Sequence, residues 1–444
     1  MQEKLLELVN ENALKELRTI LIGMNEVDIA QLFENIDREN IVKIFRLMPK
    51  EQAAEVFAYL PAETQQLIVE TITDKEIAII LDELFLDDTV DFIEEMPANV
   101  VKRVLKTADA ETRKYINTFL QYADDSAGSV MTIEFVDLKK QMTVSQAFEH
   151  IRKTGVDKET IYTCYVTDKN RHLEGIVSVR KLLLSKDDEL IGDIMKENVI
   201  FATTSDDQET IANMFSKYGL ISIPIVDSEK RLVGIVTIDD ALDIIEQEAT
   251  EDFEKMAAIT PSEKPYLKTN VFELAKHRIM WLLILMISAT FTGGIMKVYE
   301  DVLSSMIVLS VFIPMLMDTG GNAGSQSATL IIRGLALGEI QTKDWIKVAS
   351  KELLVAIIAG IVLAVVNYFR IVLFNMGSSE VAFVVSLSMI CTIIMAKVVG
   401  SMLPIAAHKL KIDPAIMASP LITTIVDAMA LFTYFTFARV FLGI

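Results

Sequence analysis

The run from Pro314 to Gln326, PMLMDTGGNAGSQ, sets a carboxylate, two carboxamides, hydroxyls and glycines inside a region otherwise apolar enough for a bilayer. Polar groups at membrane depth are costly unless they are paired or line water, so such a stretch reads as a functional site. A second acid, Asp427, lies in PLITTIVDAMAL, with Thr423 and Thr424 one turn before it. No histidine or cysteine stands near either cluster in sequence, and oxygen-only donor sets select hard cations such as magnesium or calcium over zinc or copper. Two readings stay open for each cluster. Gly320 and Gly324 have the G-x-x-x-G spacing of close helix packing, yet small residues beside Asn322, Ser325 and Gln326 would also let backbone carbonyls face a pore. Asp427 is either protonated and bonded to a neighbouring helix, or meets its copy across a dimer axis in an acidic ring that favours cations.

Five apolar segments, about 278–297, 303–332, 346–375, 380–407 and 414–441, are each long enough to cross a hydrocarbon core. Lys276 and Arg278 precede the first. Arg333, Lys343, Lys347 and Lys351 lie between the second and third, and His408, Lys409 and Lys411 between the fourth and fifth. By the positive-inside rule these three regions are cytoplasmic, which puts the amino terminus in the cytosol of a plasma-membrane protein and the carboxyl terminus outside.

The preceding 270 residues differ in character. They carry 52 acidic and 30 basic residues, a balance of −22, whereas residues 271–444 carry 10 and 12. So acidic a surface repels nucleic acid and attracts cations or basic partners, unless it serves solubility alone. Cys164 and Cys391 form no disulfide framework, and the charged, amphipathic amino terminus lacks the apolar core of a signal peptide. Residues 1–128 repeat apolar positions at helical spacing, and Pro49, Pro61 and Pro97 are expected at first helical positions of a small superhelical stack. Between 129 and 246 the chain repeats itself: DKNRHLEGIVSVRKLL (168–183) matches DSEKRLVGIVTIDDAL (227–242), each preceded by a methionine-led strand and helix, at Met131 and Met195. The tandem resembles a pair of CBS domains, 129–192 and 193–246, a module that commonly senses adenosyl nucleotides or metal ions. An acidic helix expected over 239–262 then joins soluble to membrane parts.

PMLMDTGGNAGSQSAT and DPAIMASPLITTIVD resemble the two signature segments of the MgtE family of magnesium channels, and the resemblance covers the whole chain. It implies a multi-domain fold: an α-helical superhelical domain (1–128), paired CBS domains, a plug helix and a five-helix transmembrane domain (271–444). It also implies a homodimer in the lipid bilayer with one pore lined by the second and fifth spans. Asp427 matches the pore aspartate that holds hydrated magnesium, Gly321, Asn322 and Gly324 match a pore-facing glycine-rich turn, and Thr423 lies beside them. Asp318 then ranks below Asn322 as an ion ligand. Cytosolic magnesium would be collected by Asp87 and Asp91, by Asp207 and Glu209, and by Asp240, Asp243, Glu248, Glu251 and Asp252, holding the pore shut. Gly219 departs from the pattern where a relative carries a metal-binding aspartate, Asp318 where some members have glycine, and Ser419 where asparagine occurs near the cytoplasmic mouth. ATP is a candidate ligand of the CBS pair.

Other classes fit less well. A membrane-anchored receptor needs no buried aspartate, and no P-loop, G-x-S-x-G or H-E-x-x-H supports an enzyme. An ion-coupled exchanger of broader divalent specificity, including cobalt and manganese, is the alternative within transport.

Overall fold

The computed structural model describes Leu5 and residues 7–9, 11, 13–262, 266–267, 269–417 and 419–444, without the side chains of Asp157 and Ser419. The chain divides into two compact units, Met1–Ile245 and Glu246–Ile444.

The first unit opens with short helices running from Leu14–Leu21 to Ala110–Phe119. Helices of two to three turns are marginal alone, so the buried stripe of each is what stabilises it. Phe45, Phe57 and Phe92 show how: their rings meet edge to face, with centroids 6.2 and 5.1 Å apart. Pro49, Pro61 and Pro97 do start helices, but as N-caps and not as first helical residues; the helices begin at Lys50, Ala62 and Ala98. Each proline keeps an extended ψ, and its carbonyl accepts the first helical bonds, as in Ala53 N to Pro49 O at 2.8 Å. Its fixed φ serves either position, so sequence alone did not separate them.

Two three-stranded sheets follow, of like topology. β1 (Phe135–Leu138) pairs parallel with β2 (Thr160–Thr167), which pairs antiparallel with β3 (Leu173–Ser178). β4 (Ala202–Thr203), β5 (Ser222–Val226) and β6 (Leu232–Thr237) repeat the pattern. The repeated aspartates build the two hairpins alike. Asp168 accepts from the amides of Asn170 and His172, and Asp227 from those of Glu229 and Arg231, at 2.7–2.9 Å. The repeats also interlock through their methionines: a Cβ on Gly175 would stand 2.8 Å from Met195 Sδ, and one on Gly234 2.7 Å from Met131 Sδ. Each strand glycine therefore makes room for the methionine that leads the other repeat. Tyr165 Oη and Ser222 Oγ, 2.7 Å apart, tie the two sheets.

The acidic connecting helix spans Ile238–Met256, ending before the expected 262. Among the described residues of the second unit five helices are long and apolar enough to cross a membrane: Val271–Val298, Ile307–Ala336, Thr342–Leu373, Ser379–Lys409 and Pro414–Leu442. The second starts later than expected, because Glu300–Ser305 forms a separate short helix and Ile307–Phe312 a tighter 3-10 turn leading into the α-helix Ile313–Ala336. The fourth span is the most enclosed, packed by the second, third and fifth.

Candidate ion pore and acidic cluster

Polar and small residues sort onto two faces of the second span. The run expected to contain a glycine-rich turn is continuous α-helix, and Pro314 in its first turn costs no hydrogen bond. Gly320, Gly321 and Gly324 are buried. A Cβ on Gly320 would lie 2.7 Å from both Thr392 and Val426, one on Gly321 2.9 Å from Thr423, and one on Gly324 2.6 Å from Ile422. On the fourth span, a Cβ on Gly400 would overlap the Gly324 carbonyl oxygen. The glycines thus set close approach of the second span to the fourth and fifth, the packing reading of G-x-x-x-G. Asp318, Asn322 and Gln326, spaced at i, i+4 and i+8, are exposed on another face. Of the three residues matched to a pore-facing turn, only Asn322 lies on the exposed stripe.

Asp427 is half-buried on the fifth span, and Asp318 stands close enough to act on it electrostatically. Asp318, ranked below Asn322 from the sequence, is thus the acid of the run that stands nearest in effect to Asp427. Their proximity was illegible in sequence, because 108 residues separate them. Thr423 and Thr424 both donate to the Pro420 carbonyl, at 2.9 and 3.1 Å, as a hydroxyl does when it follows its own helix. Thr423 also presents its methyl group to Gly321.

Two further charges within the spans, Glu352 and Lys397, were missed in sequence. Both are buried, and both meet Ser327 of the second span. A charge inside each of two apolar segments was the available signal.

In the first unit, helix Leu86–Glu94 brings Asp87, Asp88 and Asp91 against Asp239 and Asp240 at the start of the connecting helix, with Glu134 and Glu159 nearby. Asp87 is 8% exposed, and burial, then Asp240, raises its carboxyl well above the usual range. Desolvation with like charges lifts Asp88 and Asp240 to about 6, Asp91 at the exposed edge to about 7, and Glu159 to about 8. Asp240 also accepts from Thr237 Oγ1 at 2.7 Å, and Asp243 acts electrostatically on both Asp240 and Tyr59. Of the expected sensing acids, Asp87, Asp91, Asp240 and Asp243 come together. Asp88 and Glu159 join them unforeseen. Among the described residues no three His, Cys, Asp or Glu side chains converge as a metal site.

Asp207 and Glu209 have a different setting. Asp207 is the N-cap of helix Gln208–Tyr218, accepting from the Glu209 amide at 2.9 Å. That helix ends at Gly219 in the left-handed region, φ 61°, where glycine is favoured over any aspartate.

Farther along the connecting helix, Glu248 is partly buried, and Glu251 and Asp252 flank Lys255. Lys255 Nζ contacts Glu251 and lies 2.6 Å from Asp413 Oδ2, which sits just before the fifth span. Burial and Asp413 raise Asp252 to about 6.

Residues 313–437 match the family described as "Divalent cation transporter" (MgtE), 24–125 the "MgtE intracellular N domain", and 127–186 and 191–247 the CBS domain. "Magnesium transporter MgtE" of Thermus thermophilus is 36% identical over 361 residues, 80% of each chain. The protein of the same name in Bacillus subtilis is 29% identical across 99% of this chain and 97% of its own. Among solved structures, "the cytosolic domain of the Mg2+ channel MgtE in complex with ATP" is 33% identical with a TM-score of 0.53, covering 55% of this chain and all of that one. "The soluble part of a magnesium transporter" is 29% identical with the same score, covering 56% and 98%. With its helical amino-terminal region, CBS pair and five span-length helices, the chain belongs to the MgtE family of divalent cation transporters.

Proposed function

We propose that this protein carries magnesium ions across the plasma membrane as a homodimeric channel, with its amino terminus cytosolic and its carboxyl terminus outside. The observation that carries the reading is the stripe of Asp318, Asn322 and Gln326, exposed on a span whose glycine face is sealed. Lipid would not solvate that stripe, whereas a second copy related by a two-fold axis would enclose it in water. The second and fifth spans of both copies then line one pore. Asp427, with Asp318 beside it, holds the ion, and Asn322 and the Thr423 oxygen face its water. Magnesium dehydrates reluctantly, so carboxylates acting through its hydration shell suit it better than a direct all-protein cage.

The cytosolic acids supply the gate in this reading. Asp87, Asp88, Asp91, Glu159 and Asp240 are crowded and partly desolvated, so bringing them together costs free energy that a divalent cation offsets. These carboxylates would hold a hydrated magnesium ion, whose charge would offset their repulsion and favour the closed arrangement, and without it their repulsion would free the connecting helix. Glu248, Glu251 and Asp252, and Asp207 and Glu209, supply further carboxylates to magnesium sensing in this reading. ATP binds the CBS pair, a reading supported by the solved relative that contains it.

Flux of magnesium, cobalt and manganese into proteoliposomes tests this, with internal magnesium, proton and sodium gradients varied separately. Flux that follows the magnesium gradient and is suppressed by internal magnesium supports the channel; flux that requires a proton or sodium gradient supports the exchanger.

A further inference from the structure

Three polar side chains meet inside the second unit, on the face of the second span opposite its polar stripe. Ser327, fully buried on that span, donates to Glu352 Oε2 of the third at 2.6 Å and accepts from Lys397 Nζ of the fourth at 3.2 Å. Lys397 Nζ and Glu352 Oε2 are 3.8 Å apart, and the two residues are 7% and 9% exposed. Removing one partner of such a pair leaves an uncompensated buried charge, while an apolar replacement of both is often tolerated, so packing alone does not require it. What the trio adds is direction. One turn away, Gly324 and Gly400 bring the second and fourth spans together with no side chain between them to resist a slide or rotation. The hydrogen bonds through Ser327 supply that resistance.

We propose that Glu352, Ser327 and Lys397 are positioning residues that fix the rotation of the second span, and so aim Asp318 and Asn322 relative to Asp427. The inference rests on the pore reading above for what the aimed residues do, but not for the contact itself.

The test is full-length protein in proteoliposomes, read as magnesium flux and as the ratio of magnesium to cobalt flux. Glu352→Gln and Lys397→Met each lower magnesium flux about tenfold or more, and the exchanged pair Glu352→Lys with Lys397→Glu recovers at least about half of it. Ser327→Ala removes the bridge without touching either charge, and shifts the magnesium-to-cobalt ratio by about threefold while the protein stays folded in detergent. A mere loss of folded protein lowers both fluxes equally and leaves the ratio fixed. An unchanged ratio in Ser327→Ala, or an exchanged pair as inactive as the single variants though folded, overturns the proposal. If the charge variants do not fold, the Ser327→Ala ratio decides alone. Asp427→Ala, assayed in parallel, tests the pore reading separately: its failure to reduce flux would sink that reading, while the ratio in Ser327→Ala still decides whether the trio fixes the second span.

Discussion

Lys255 Nζ lies 2.6 Å from Asp413 Oδ2, so the end of the acidic connecting helix is fastened to the turn that starts the fifth span, the helix carrying Asp427. The same ammonium contacts Glu251. Burial alone would lower the Lys255 pKa, but its two carboxylate partners outweigh that and hold it above its ordinary value. Lys255 thus supplies one of the cations this carboxylate cluster needs. Lys255→Met should leave the fastening dependent on magnesium alone, raising the internal magnesium that half-inhibits flux by about threefold, the scale of a partly exposed ion pair. Lys255→Arg should restore it. An unchanged inhibition curve in Lys255→Met would show that the contact is incidental to gating.

The acidic cluster predicts a linked pH and magnesium dependence. Glu159, Asp91, Asp88 and Asp240 have folded pKa values of about 8, 7, 6 and 6, each above the unfolded carboxylate value of about 4. A raised carboxylate stabilises the fold fully below its unfolded pKa and loses that contribution as pH rises through the folded one. Without divalent cations the midpoint of thermal unfolding of the detergent-solubilised protein should therefore fall between about pH 5.5 and 8.5. Magnesium should raise it more at the alkaline end of that window than at the acid end. Equal magnesium effects at the two ends would argue that the ion does not bind these carboxylates.

Asp87 and Asp207 should separate under mutation. Asp87→Asn with Asp91→Asn removes acids from the buried cluster and should abolish most inhibition by internal magnesium while leaving conduction intact. Asp207→Asn keeps a good N-cap and should change stability by less than about 0.5 kcal/mol, so any loss of inhibition it causes reports ion binding. Full inhibition in both variants, measured as flux against internal magnesium, would reduce the acidic surface to a solvated one.

Gly400→Ala should be far more harmful than Gly293→Ala. The first places a Cβ onto the Gly324 carbonyl oxygen, while nothing lies within 4 Å of a Cβ at the second. Overpacking of a tight contact costs roughly 1–3 kcal/mol, read as a lower midpoint of thermal unfolding. Equal stability of the two variants would mean that the second and fourth spans part without cost.

What was legible in the sequence and what was not follow one division. Features carried by local pattern were legible: the five apolar lengths, the repeat built on Asp168 and Asp227, and the glycine-amide run. Features set by which residues meet across the fold were not. The electrostatic effect of Asp318 on Asp427 and the meeting of Glu352 with Lys397 through Ser327 join residues on different spans, and no spacing rule reports them. Gly321 and Gly324 were legible as important, but not that their Cα atoms face the fifth and fourth spans closely. Proline at a helix start was legible, but not whether it stood at the N-cap or one residue later.

In the channel reading Asp427 lies on the ion path. Magnesium flux into proteoliposomes containing wild-type protein or Asp427→Ala, with the dimer verified in both, measures it most directly. If Asp427 of each copy faces the ion, the variant should assemble normally and lose at least about tenfold of the flux; wild-type flux from an intact Asp427→Ala dimer would place Asp427 off that path.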